Sequence, residues 1–288
     1  VFEAWYQELL QQESITQKPL EYTSEVIASF QATGKIVDTD TGIGLPYVNI
    51  GVIGKAIGAV SNGEGVFQLD LAESHLADTL RISMIGYESK VIPVKAVLQQ
   101  NTTPSIRLKE AVSELDEVVL TAREWKRKTL GNKTESNFIG HLFHYDQMGK
   151  EMGIRMNVGR QPLLVDNFSF HVYHNRFSGR VSFRLNIYRL ESGKPAGNIL
   201  KENIIIPVAP KQTGRIHMDL RPYNIVLTED VLVTLDWVDS EKDVKPTEAL
   251  AVSVGVLTGG TYQRVSKEVE MKKVLRGLGL GYTLEVRY

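Results

Sequence analysis

The 288-residue chain contains no cysteine. That excludes disulfides, thiolate metal sites, a cysteine nucleophile and a lipid-acylated cysteine within it. It leaves the compartment open, because a chain of this size does not need disulfide staples. An excess of one charge is missing too: 33 Lys and Arg stand against 34 Asp and Glu. With no net field, nucleic acid and anionic membranes are excluded as general partners. The longest apolar run, "ALAVSVGVLTGG" at 249–260, falls short of the roughly 20 residues of a membrane helix. The chain opens on "VFEAWYQELL" without Met or a basic and apolar leader, which predicts a processed or trimmed form that is soluble.

The motifs of common catalytic sites are also missing. None of the six histidines has Glu three residues on, so the His-x-x-Glu zinc pattern of a metallopeptidase is not there. The pairs His141/His144 and His171/His174 remain. On a strand, residues three apart point to opposite faces, so neither pair chelates an ion there. "DTDTG" at 38–42 lacks the glycine and glutamate positions of a calcium loop and reads as a turn. "NIGVIGKA" lacks the first Gly and the Ser/Thr of a phosphate loop. "GLGLG" at 277–281 leaves no room for a βαβ unit, and no G-x-S-x-G elbow occurs. No cofactor and no metal is expected.

What is present is strand after strand. The composition, 42% hydrophobic and 23% charged, is that of a folded protein. Residues 1–12 carry apolar positions at helical spacing and predict a short amphipathic helix, followed by a polar lead-in to residue 28. From 29 to 109, "SFQATGKIVD", "YVNIGVI", "GAVSN", "GVFQLDL", "DTLRISMIGY", "SKVIPVKA" and "SIRLKE" are β-rich runs separated by turn residues. Such spacing predicts a β-sandwich. Residues 110–140 read as a connecting strand and a basic linker, with the strand at 116–121 paired inside the protein and few contacts crossing the boundary. Strands then resume in "VSFRLNIYRL" and "DVLVTLDWVD", so 141–288 is expected to be a second β-sandwich or jelly-roll-like domain. "SKEVEMKKVLR" at 266–276 has a competing helical pattern. The fold class is all-β.

Residues Gly34, Val37 and Asp38, then Leu45 to Ile50, Gly58, Ser61, Asn62, Gly65 and Phe67, and finally Ile85 to Tyr87, fall in the order of a known pattern. The stretch resembles the carboxypeptidase-regulatory-like domain, a transthyretin-like seven-stranded sandwich. Beyond it Leu115, Glu117, Val118, Val119 and Thr121 resemble the "L-x-E-V-V-V-T" segment that follows this domain in Gram-negative outer-membrane proteins, where in sugar-importing receptors it is similar to a TonB box. The residues after Thr121 are too few for a barrel of about 22 strands at roughly 10 residues each. The resemblance therefore implies a shorter envelope protein, periplasmic or associated with the outer membrane, without the receptor barrel.

If Val181, Phe183, Leu185 and Ile187 face a core, Arg184, Asn186 and Tyr188 share the opposite face. His171 and Tyr173 lie likewise opposite Phe168, Phe170 and Val172. Aromatic, amide and guanidinium groups on a sheet face suit a sugar or peptide ligand, and the same pattern describes a plain solvated sheet. These five residues are the candidate ligand site. The expected function is a non-catalytic envelope protein for binding or assembly, with an unknown protein or glycan as partner. The alternative is a glycan-acting hydrolase, for which an exposed cleft with two carboxylates in the second domain would speak.

Overall fold

The computed structural model describes residues 29–98, 104–111, 125–144 and 147–288. The expected helix at 1–12 and strand at 116–121 lie outside these residues. Seven strands build the first domain: β1 (Ser29–Asp38), β2 (Asn49–Val52), β3 (Gly58–Val60), β4 (Val66–Ala72), β5 (Thr79–Ser83), β6 (Lys90–Pro93) and β7 (Ser105–Leu108). They form two sheets, ordered β4-β1-β7 and β3-β2-β5-β6. Ala32, Ile36, Ile50, Phe67, Leu69, Leu80, Ile82 and Ile106 alternate along these strands and fill one core between the sheets. "SKVIPVKA" is only half strand. Val94 to Leu98 turn into a short helix, α1, that buries Val94 and Val97.

The residues of the family pattern hold this sandwich together. A Cβ on Gly34 would sit 2.4 Å from the Phe67 ring, so the glycine makes room for the largest side chain of the core. Ser61, fully buried, donates to the Leu45 carbonyl at 2.9 Å and accepts from the Val48 N–H at 2.9 Å. Asp38 closes the "DTDTG" turn by accepting from the N–H groups of Asp40 and Thr41 and from the Thr41 hydroxyl. These hydrogen bonds hold its carboxyl below the ordinary range. The pattern is structural chemistry, not catalytic chemistry.

The second domain carries β8 (Arg127–Gly131), β9 (Gly140–His144), β10 (Glu151–Met156), β11 (Leu163–Asn175), β12 (Val181–Glu191), β13 (Lys194–Asn198) and β14 (Ile204–Val208). It continues with β15 (Gly214–Asp219), β16 (Val226–Leu227), β17 (Val231–Ser240), β18 (Ala249–Arg264), β19 (Lys272–Leu280) and β20 (Tyr282–Arg287). In one layer β11 pairs with β15, β16 and β20, and β20 pairs with β8. In the other, β17 lies between β12 and β10, with β13 and β14 on the far side of β12. Strand β18 belongs to both: its first half pairs with β9 and β11, its second half with β10 and β19. The layers meet through aromatic rings, with Phe183 of one layer 4.8 Å from Phe143 and 6.2 Å from Phe170 of the other. Each such fully buried side chain contributes about 1.5–3 kcal/mol.

Two expectations are corrected here. The basic run at 126–128 is no linker, because β8 hydrogen-bonds to β20 from Arg127 to Gly131. Among the described residues it is an edge strand, and exposed charges such as Arg127 and Lys128 disfavour pairing of such an edge with other chains. "SKEVEMKKVLR" is not helical either. Residues 272–280 pair with β18, whose unpaired edge outweighs a weak helical period. Between Val256 and Gly260 that pairing shifts register, Leu257 takes a φ of 58° and the bulge leaves it 95% exposed.

Gly34→Ala should destabilise the protein by about 1–3 kcal/mol, since the added methyl overpacks the Phe67 site. Urea unfolding followed by circular dichroism measures it.

Candidate functional site

On β12 the alternation holds. Phe183, Leu185 and Ile187 point into the sandwich, and Arg184, Asn186 and Tyr188 point out of it. The outward face is not open. Arg184 and Asn186 are as buried as the core, and Tyr188 nearly so. Part of the cover is the first domain. Arg184 donates from Nη1 to the Tyr47 carbonyl at 2.6 Å and from Nη2 to Asn49 Oδ1 at 2.6 Å. Tyr47 takes a φ of 61°, a left-handed conformation uncommon for a non-glycine residue, and its carbonyl is the one that meets the guanidinium. Gly51 brings the two domains close, because a Cβ there would lie 2.5 Å from Glu268 Cγ. Arg81 of β5 pairs with Glu268 at 2.9 Å, and Ile85 packs against the core of the second domain. Contacts therefore do cross between the domains.

Behind Arg184 lies a connected set of buried charges. Its Nη2 also donates to Asp236 Oδ2 of β17 at 2.5 Å. Lys267 Nζ lies 3.6 Å from the same oxygen and 2.9 Å from Glu151 Oε2. Glu151, on β10, accepts at Oε1 from Asn186, Tyr188 and Thr234, and at Oε2 from Arg264 and Lys267. The Tyr188 hydroxyl donates to Glu151 and accepts from Arg264 at 2.9 Å and Lys267 at 2.6 Å. Burial alone would raise the Glu151 carboxyl, but Arg264, Lys267 and these hydrogen bonds hold it well below the carboxylate range. Burial pushes Lys267 down to about 8 despite Glu151 and Asp236, with Arg264 and Arg184 adding repulsion. Burial, followed by the Glu151 charge, raises the Tyr188 hydroxyl well above its ordinary value. Three cations and two anions thus share one enclosed site.

His171 and Tyr173 are elsewhere. They lie on β11, and since Phe170 and Phe183 meet inside the sandwich, the faces opposite them look away from each other. The five candidate residues therefore do not form one site. His171 Nδ1 lies 2.7 Å from Ser253 Oγ, and burial holds its pKa below the usual value. Tyr173 packs over Gly140. His141, of the other histidine pair, is half-buried on β9 with Nε2 2.7 Å from Gln263, and desolvation pushes it down to about 4. Among the described residues no group of three or more His, Asp or Glu is placed to hold a metal ion.

The same outer face of the β11 layer holds a cleft of about 440 Å³. Thr129, Glu285, Asn167 and Asp219 lie side by side across β8, β20, β11 and β15. Arg127 and Arg221 also line it. Asp219 is held in a two-pronged pair by Arg221, at 2.9 and 2.7 Å, which lowers its pKa to about 2. Asp166 Oδ1 and Arg287 Nε are 3.0 Å apart without an aligned N–H, an ion pair and not a hydrogen bond.

The sequence reading missed Glu151, Asp236, Arg264 and Lys267. A signal existed for Asp236: in "VLVTLDWVD" its face-mates include Leu232 and Val238, so both faces of β17 had to be buried.

Residues 32–120 match the model of the CarboxypepD_reg-like domain. The first sandwich is thus a carboxypeptidase-regulatory-like domain, a regulatory or binding type and not a catalytic one. The matched range takes in Leu115 to Leu120, the first part of the TonB-box-like stretch. No curated protein matches the chain. Among solved structures, the cysteine protease and lectin-like domains of Cwp84, a surface layer associated protein of Clostridium difficile, are 10% identical with a TM-score of 0.39. The alignment covers 56% of this chain and 36% of that one, so the chain spans about a third of that structure's length. The infectious bursal disease virus Gt strain structure is 10% identical over 92% of this chain and 66% of that one, at a TM-score of 0.28. A DUF3823 family protein from Parabacteroides merdae is 9% identical over 73% of this chain and 98% of that one, at 0.20. Scores this low carry neither fold nor function to this chain.

Two outcomes test the buried network. Arg184→Met leaves Asp236 without its closest counter-charge and should cost about 3–5 kcal/mol, while Asn49→Ala, which removes one charged hydrogen bond, should cost about 1.5–3 kcal/mol; urea unfolding measures both. The second concerns pH. Lys267 has a folded pKa of about 8, below its unfolded value near 10.4. Between these values the unfolded chain binds more protons, so this group makes stability rise with pH from 8 to about 10. Lys267→Met should lack that rise in unfolding free energy.

Proposed function

We propose that the protein is a non-catalytic component of a Gram-negative cell envelope, periplasmic or associated with the outer membrane, that works by binding or assembly. The observation that carries this reading is the fate of the buried polar groups. Arg184, Glu151, Asp236, Arg264 and Lys267 are engaged with one another and with Tyr47 and Asn49, an arrangement that holds the two domains together and keeps the Glu151 and Asp236 carboxylates wholly enclosed. The regulatory-type first domain supports the same reading, as does its resemblance to envelope proteins. Among the described residues no helix is long and apolar enough to cross a membrane. The partner is a protein or a glycan of the envelope.

One observation favours the hydrolase alternative: the cleft on the β11 layer has Asp166, Asp219 and Glu285 in its lining. Glycoside hydrolysis needs one carboxyl protonated near neutral pH beside an ionised one. Arg221 holds Asp219 at about 2, which makes it a permanent anion, unsuited to the acid role. Incubating the full chain with oligosaccharide and peptide panels, with product analysis by mass spectrometry, should give no turnover. Turnover abolished by Glu285→Gln would sink the non-catalytic reading.

A further inference from the structure

We propose that the cleft on the outer face of the β11 layer is a binding groove for a neutral glycan. This rests on the binding reading above and gives it a site and a ligand class. The row Thr129, Glu285, Asn167 and Asp219 crosses four neighbouring strands in register. Arg127, Lys128, Asp166 and Arg221 complete the polar lining. Inner-face neighbours Leu130, Leu284 and Phe168 belong to the core, so the row sits on a rigid floor and not on a loop. The volume of about 440 Å³ lies within the range of small-molecule sites, about 300–1,000 Å³.

The chemistry of the row selects the ligand. Carboxylates accept only, guanidinium groups donate only, and the amide and hydroxyl do both. A ligand that meets all of them must itself offer donors and acceptors at short intervals, as a polyhydroxylated sugar does. Glu285 and Asp219 repel a phosphate or a polyanion, and Arg127 and Arg221 repel a polyamine. Two features are already set for binding. The two-pronged pair with Arg221, together with the Arg221 N–H at 3.0 Å, fixes the plane of the Asp219 carboxylate. Asn167 sits in register between Glu285 and Asp219, which fixes the spacing of those two carboxylates across β11.

The borders of the groove are also defined. Toward the other end of β11, Ser169 and Thr283 hydrogen-bond to each other at 2.6 Å. Arg215 there ties down the Lys133 and Thr134 carbonyls and Glu135, which closes the face before His171. Beyond Arg127, half-exposed Trp125 has the Arg287 guanidinium 4.9 Å from its ring centroid, a contact that lies outside the lining of the groove.

The test is the full chain on an array of neutral oligosaccharides (glucan, xylan, mannan and chitin fragments) beside oligogalacturonides, sulfated glycans and peptides, with titration calorimetry of hits. Saturable binding to a neutral oligosaccharide is expected, weakened at least tenfold by Glu285→Ala and by Thr129→Arg, which fills the groove from an edge strand. Lys194→Ala, at an exposed ion pair with Glu270 away from the groove, should bind as the parent does. If either groove variant fails to fold, the other decides. No glycan binding, binding indifferent to the groove variants, or preference for acidic glycans or peptides overturns the proposal. Those results leave the non-catalytic reading standing, whereas binding followed by cleavage of the sugar sinks that reading and keeps the groove.

Discussion

An arginine that cannot lose its proton is buried between two domains, and the arrangement of the molecule follows from its needs. A guanidinium stays charged under all ordinary conditions, and Arg184 meets acceptors at both of its terminal nitrogens. Asp236 supplies the counter-charge from the neighbouring strand, while a backbone carbonyl and an amide oxygen come from the first domain. Remove the first domain and two of those acceptors leave with it. The regulatory-like sandwich is therefore part of the electrostatic environment of the second domain, not an appendage on a tether. Glu151 repeats the logic one step away, a carboxylate enclosed only because five donors surround it.

How much of this was legible in the residues depends on what each pattern reports. The seven strands of the first domain were, because Gly34, Ser61, Gly65 and Phe67 are placed by local turn and core geometry that sequence spacing carries directly. The alternation along β12 was legible too, and it separated Phe183 from Arg184. What lies beyond the outward face was not, since alternation tells which residues share a side and says nothing of what covers that side. The covering residues, Tyr47 and Asn49, stand more than a hundred positions earlier in the chain. Charge runs misled for a related reason. At 126–128 the basic residues guard a sheet edge, and a guarded edge and a solvated linker have the same composition.

The two polar faces of the second domain have opposite characters. On the β12 layer, charges face one another and exclude water, which favours permanence over exchange. On the β11 layer, Thr129, Glu285, Asn167 and Asp219 are held by the sheet and line a cleft. A molecule with one sealed face and one open face has a built-in direction: its permanent contacts are on one side, and the groups left open to solvent are on the other.

Strand β18 is common to both layers and ends at Arg264 beside Glu151. At about 3.4 Å per residue, it is a continuous tie running from the layer that bears the cleft to the junction of the domains. A pull applied to the β11 layer travels along it and meets two breaks in the pairing with β19, the shorter between Thr261 and Tyr262 and the longer at the Leu257–Gly260 bulge. Under tension the sandwich should yield there first, paying out slack from the bulge while the charged junction stays shut.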